Sequence, residues 1–239
     1  MKKTRLYKRD QESIGYIFQY AESIDYHTYY ERPATLSLIP DVERKDVLDA
    51  GCGTGWYSEW LAKHDAYVTA IDSDENMVKE TKARIFSRGN VLQADLNQPL
   101  GALKDHSFDL IISSLTMHYI KDWEKPMKEF NRILRNKGRL IFSVIHPFLD
   151  YTRFPNENYF SLKQLTEVQA SAKYNNEINL YLRPLNEIIK PLYLNGFIIE
   201  RIIEPLPTEE FRRVHPKEYE DLMKHPHFLF IRAQKMTSL

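Results

Sequence analysis

Asp49, Asp72 and Asp95, together with the alternating glycines Gly51, Gly53 and Gly55, are the residues of this chain whose types and spacing can do chemistry. Glycines on alternate positions let a backbone take positive φ and come close to a ligand. A carboxylate just before them repels phosphate and attracts an amine, and a carboxylate further on can accept from two hydroxyls at once. The constellation therefore binds a nucleotide-type ligand. Two histidines, His118 and His146, follow the fourth and fifth apolar runs, where an imidazole titrating near neutrality can take a proton. For each, the alternative is a ring hydrogen-bonded to backbone near a strand end. Cys52 is the single cysteine and sits inside the glycine loop, so the sequence allows neither an intrachain disulfide nor a cysteine metal cluster. It reads as a small packed residue, with a catalytic thiol as the minority alternative.

These groups must be positioned by strand ends. Val47 to Ala50 is an apolar run suited to a strand covered on both faces, and Trp56 to Lys63, of helical composition, aims free N–H groups at whatever the glycines hold. Tyr67 to Ile71 predicts a second strand ending at Asp72, and Val91 to Ala94 a third delivering Asp95 and Leu96. Between them a helix runs to Arg84, with Ser73 or Asp74 as its cap. Phe108 to Ser114 predicts the fourth strand. A helix over Trp123 to Leu134 is stopped by Asn136-Lys137-Gly138, and Arg139 to Ile145 forms the fifth strand. Pro147 then turns the chain out of the sheet and leaves His146 at its edge. Helix Leu185 to Leu194 and strands Phe197 to Glu204 and His227 to Ala233 complete an alternation that predicts an α/β sheet, whose ligands bind at the carboxyl edge.

Spacing separates the cofactor classes. Dinucleotide enzymes use G-x-G-x-x-G, whereas this loop is G-x-G-x-G preceded by Asp49, which counts against an NAD-dependent oxidoreductase. Asp72 lies twenty-one residues after Gly51, close to the ~20-residue offset at which an acid meets ribose hydroxyls. The string Val47-Leu48-Asp49-Ala50-Gly51-Cys52-Gly53-Thr54-Gly55 resembles the first motif of the class I S-adenosylmethionine-dependent methyltransferases of small-molecule type. The resemblance continues through Ile71-Asp72-Ser73 to Met77, where the family places its ribose acid and an apolar residue against adenine. It extends to Ala94-Asp95-Leu96, whose acid accepts from the adenine amino group, and to a fourth motif ending at Ser113 and Ser114. It implies a Rossmann-like seven-stranded mixed sheet of order 3-2-1-4-5-7-6, the last strand antiparallel and helices on both faces, with S-adenosylmethionine as cofactor. It also implies that an N-terminal segment folds over the cofactor, so that Tyr30 or Tyr20 closes the pocket. Packing is the alternative for both tyrosines.

The expected organisation is an N-terminal helical cap over residues 1–40, a core over 41–149 and 185–239, and an inserted lid or substrate segment over 150–184. Tyr151, Arg153, Tyr159 and Phe160 of that segment are candidate pocket lining. Thirty-three basic and thirty-three acidic residues give zero net charge, which argues against a nucleic-acid-coating surface. No stretch approaches the ~18 to 20 apolar residues of a membrane span, and the basic start lacks a secretion signal's apolar region, so the expectation is a cytoplasmic protein with no membrane partner. The expected reaction is methyl transfer by in-line displacement to a small-molecule acceptor at O, N or C. The alternative is a non-catalytic module that binds the cofactor as a regulator or partner. The residues leave the acceptor and the oligomeric state open, and no metal is called for.

Overall fold

The computed structural model describes residues 23–153, 158–171 and 174–237. Tyr20, and most of the expected N-terminal cap, lie outside the described residues. The described chain opens with α1 (Ile24–Tyr26), a π-helical stretch His27–Glu31 and α2 (Arg32–Leu38), which run on as one helical segment. There follow β1 (Asp46–Ala50), α3 (Trp56–Lys63), β2 (Tyr67–Asp72), α4 (Glu75–Ile85), β3 (Gly89–Gln93) and β4 (Phe108–Ser113). A 3-10 turn, Met117–Tyr119, leads to α5 (Glu124–Ile133), β5 (Leu134–Ile145) and α6 (Pro147–Arg153). Next come β6 (Lys163–Ser171), β7 (Tyr174–Leu182), α7 (Leu185–Leu194), β8 (Phe197–Ile203), α8 (Glu209–Val214), α9 (Pro216–Leu222) and β9 (Phe228–Lys235).

Seven strands form one sheet in the order β3-β2-β1-β4-β5-β9-β8, while β6 and β7 pair separately as an antiparallel hairpin. With that hairpin counted out, the order is the expected 3-2-1-4-5-7-6. The first five strands are parallel, and β9 runs antiparallel between β5 and β8. Alternation along the central strands explains why helices cover both faces. Val47, Leu110 and Ile112 feed one core with Tyr30, Leu38, Leu61 and Phe228. Leu48 and Ile111 point the other way, into a core with Phe130, Ile133, Leu192 and Ile231. A smaller cluster, Cys52, Ala70, Val78, Ile85 and Val91, seats α4 on β2 and β3.

One boundary departs from the sequence reading. α5 ends at Ile133, and the chain turns extended at Leu134 instead of being capped by Gly138. Leu134 already pairs with Phe108, and the Arg135 guanidinium reaches back to Asp109 at 2.6 Å and Asp46 at 2.8 Å, tying the starts of β1, β4 and β5 together. The positive φ in this stretch belongs to Lys137, at 63°.

Candidate functional site

The carboxyl edge of the sheet is built around the turn after β1. Gly51, Gly53 and Gly55 all have positive φ, at 79°, 52° and 83°. The turn is stitched to β2 by Gly51 and Cys52 N–H groups donating to Ile71 O, at 2.8 and 3.0 Å. A Cβ at Gly51 would run into the Thr116 side chain, whose hydroxyl donates to Gly51 O at 3.2 Å. A Cβ at Gly55 would press on Thr81, and one at Gly53 meets nothing within 4 Å. Gly53 is thus the point where the loop faces open space.

Asp72 stands at the end of β2 beside that point. Its Oδ2 accepts the Gly53 N–H at 2.9 Å and its Oδ1 the Asp74 N–H at 3.0 Å. A carboxylate has about four acceptor sites, so about two remain. Asp74, not Ser73, caps α4 by accepting from Asn76 N at 2.7 Å, which leaves Ser73 exposed and Met77 half-buried on the first turn. Asp95 lies just past β3. Both Asn97 N–H donors meet its Oδ1 at 2.8 Å, and the half-buried Ala94 is tied to Asp72 O.

Other expected site residues lie beneath this surface. Asp49 is 1% exposed, accepts the Ser58 hydroxyl at 2.6 Å, and has its carboxyl pushed up to about 6 by burial and, less, by the charge of Asp72. Burial and the neighbouring Asp49 raise the Cys52 thiol to about 12, so it has no thiolate character at neutral pH. Leu96 sits in the core, and the Ser113 hydroxyl is committed to Ala50 O at 2.9 Å, binding β4 to β1. Tyr30 is corrected from pocket wall to core. It is 1% exposed, its ring stacks on Phe228, and its hydroxyl accepts the His227 N–H at 3.3 Å.

The two histidines part company. His146 has both nitrogens occupied, Nδ1 accepting the Phe148 N–H at 2.9 Å and Nε2 facing Glu204 at 2.8 Å. It caps α6 and holds Glu204, and burial lowers its pKa despite that carboxylate. His118, 2% exposed on the 3-10 turn, has neither ring nitrogen partnered. Burial first, then the charges of Arg183 and His27, bring its pKa down to about 3, so the ring is neutral. Arg183 is itself buried. It donates to Ile120 O at 2.7 Å and stacks 4.3 Å over Trp123, and among the described residues no carboxylate comes within ion-pair distance of it. Burial lowers this guanidinium to about 9. It borders a cavity of 620 Å³ shared by Lys121, Trp123, Phe160, Glu187 and Lys190. Of the other expected lining, Tyr159 accepts the Leu185 N–H, Tyr151 is exposed, and the Arg153 side chain lies outside the described residues.

Sequence reasoning missed Glu31. This carboxylate, 1% exposed, accepts four hydroxyls: Thr35 and Tyr57 at 2.6 Å, Ser114 at 2.8 Å and Ser143 at 2.9 Å. The Glu31–Thr35 spacing of four on a helix was the available signal, and it is shared by many exposed pairs.

The comparisons with known proteins bear on the family and the fold. A family model described as a methyltransferase domain matches residues 48–142, from β1 into β5. The malonyl-[acyl-carrier protein] O-methyltransferase of Buchnera aphidicola is 31% identical over 57% of this chain and 56% of its own length. The phosphoethanolamine N-methyltransferase of Triticum aestivum is 32% identical over 54% of this chain but only 27% of its own. The chain therefore spans little more than half of one enzyme and about a quarter of the other. A solved Listeria monocytogenes structure, described as an S-adenosylmethionine-dependent methyltransferase, superposes with a TM-score of 0.75 at 30% identity, covering 87% of this chain and 97% of that one. With a relative of that identity matched along nearly its whole length, this chain belongs to the S-adenosylmethionine-dependent methyltransferases, whose cofactor is S-adenosylmethionine.

Proposed function

We propose that the chain transfers a methyl group from S-adenosylmethionine to a small-molecule acceptor at O, N or C. The observation that carries the cofactor assignment is Asp72: fixed by Gly53 N–H at the one glycine of the turn that faces open space, it retains acceptor sites for the two ribose hydroxyls. Asp95 keeps Oδ2 for the adenine amino group, and Met77 lies where an apolar wall for adenine is needed. Gly51, Gly55, Cys52, Asp49 and Ser113 shape the loop from beneath. The cofactor brings a methyl group on a sulfonium, which is already a good leaving group.

What remains for the protein is orientation, desolvation and the acceptor's proton; orientation alone is worth ~7 to 11 kcal/mol in favourable cases. His118, with two unpartnered nitrogens after β4, is the residue for that proton, and His146 is set aside because its nitrogens are engaged. Neutral His118 can orient an acceptor hydroxyl or amine by hydrogen bonding. Since Arg183 helps depress its pKa, an acceptor carrying negative charge to Arg183 would also make it a better base. The cavity beside Arg183 supports a small molecule as acceptor, and zero net charge supports neither nucleic acid nor another polyanion. Methyl-labelled S-adenosylmethionine incubated with the protein and a fractionated cell extract tests this. Label in the low-molecular-weight fraction is expected. Label in protein or nucleic acid would overturn the acceptor class, and binding without transfer would favour a non-catalytic module.

A further inference from the structure

The hydroxyls around Glu31 each have one proton, and each is directed at the carboxylate. Ser143 shows what this does. With its proton committed to Glu31, its oxygen accepts the Leu115 N–H at 3.0 Å. Ser114 stands under the same constraint one residue beyond β4, where it is half-buried instead of fully buried. Thr116 Oγ1 bridges Ser114 O and Gly51 O, at 2.9 and 3.2 Å, so this residue adjoins the glycine turn. Among the described residues Ser114 Oγ accepts no hydrogen bond, and beside the buried Glu31 carboxylate the group its lone pairs suit is an N–H donor, best a cationic one. Asp49, the acid expected to attract an amine, is 1% exposed and already bonded to Ser58, so it offers little surface for direct contact.

We propose that Glu31 is a positioning residue that makes Ser114 the acceptor for the α-ammonium group of the cofactor. The buried carboxylate fixes the direction of the Ser114 hydroxyl and, from the helical segment preceding the sheet, links that segment to cofactor affinity. This inference rests on the assignment of the carboxyl edge to S-adenosylmethionine.

Two probes separate the possibilities. S-adenosylhomocysteine carries the ammonium group, and 5′-methylthioadenosine lacks the whole aminoacyl half. Calorimetric titration of wild type, Glu31→Gln and Ser114→Ala should show S-adenosylhomocysteine binding weakened about 10- to 100-fold in both variants, the range for one charge-assisted hydrogen bond. Binding of 5′-methylthioadenosine should change less than about twofold, and the double variant should bind no worse than either single one. Ser114→Thr, which keeps a hydroxyl, should restore affinity. Equal losses for both probes would reduce Glu31 to a structural anchor and overturn the proposal, as would unchanged binding of S-adenosylhomocysteine. If Glu31→Gln does not fold, Ser114→Ala decides, because it leaves Glu31 three donors. Failure of wild type to bind either probe would instead overturn the edge assignment itself.

Discussion

The edge made by β1 to β4 and the side covered by β6, β7 and α7 are built on opposite plans. On the first, the ionisable groups already have partners: Asp72 holds two backbone N–H groups, Asp95 holds Asn97, and Asp49 holds Ser58. On the second, His118 is buried with neither nitrogen bonded, and Arg183 is buried without an anion among the described residues. Unpaired buried polar groups cost stability, roughly 1–3 kcal/mol each. A fold bears that cost where a ligand's own groups complete the hydrogen bonds. In the proposed reading the edge that takes the cofactor is thus preorganised for one ligand chemistry, and the side that takes the acceptor is polarised toward another.

Asp72→Ala strikes the preorganised edge hardest. It should weaken S-adenosylmethionine binding about 100-fold or more by calorimetry, since two ligand hydrogen bonds and the Gly53 anchor go together; affinity within a few-fold of wild type would break the contrast. Gly51→Ala comes next, with an expected loss of about 2–4 kcal/mol in denaturant unfolding from its positive φ and the collision with Thr116. Adding Thr116→Ser should recover only a fraction of the steric share, because Oγ1 and Cβ would still crowd the new methyl group.

The histidines sharpen the other half. His118→Asn should lower turnover of an identified acceptor about 100-fold while cofactor affinity stays within about twofold. His146→Ala should cost about 1 kcal/mol in thermal or urea unfolding, through loss of the α6 cap, and leave turnover nearly intact. A reversed result would exchange their roles.

A smaller effect follows from pH. Asp49 has a raised pKa in the folded protein, so its contribution to stability is present below about pH 4 and is lost as pH rises through about 6. A cationic cofactor offsets that loss by favouring the ionised form. Affinity for S-adenosylmethionine should therefore rise between about pH 5 and pH 7, with proton release on binding, and Asp49→Asn should flatten the profile. The smallest change belongs to Cys52: with its thiol raised to about 12, the native protein should resist iodoacetamide at pH 8 and react once unfolded.

Legibility in the sequence followed the same division. Strand ends, glycines and acids of the cofactor edge were readable because each is a local pattern, an apolar run closed by a residue that needs a special φ or a charge. The strand order came from resemblance to a family, which supplied the antiparallel final strand that periodicity alone does not. What could not be read was set by distant partners. Nothing near Glu31-Arg32-Pro33 tells that Glu31 will meet Ser114, just past β4, and Ser143 of β5. The same holds for Tyr30, assigned to the pocket by the family resemblance and drawn into the core by Phe228 and His227. Gly138 looked like a helix stop, but the ion pairs of Arg135 carried the chain straight into β5.

The place of β9 also bears on how the molecule assembles. Residues 228–235 fill an interior slot between β5 and β8, with Phe230, Ile231 and Ala233 fully buried. During synthesis β1 to β5, with the whole glycine turn, emerge first, yet β5 then shows the edge that β9 will later occupy. Until residues 228–235 leave the ribosome that edge is an unpaired, apolar template, open to pairing with other chains. Late closure of this kind gives the fold a high contact order and a slow final step, and it makes the last strand the one whose delay most exposes the chain to aggregation.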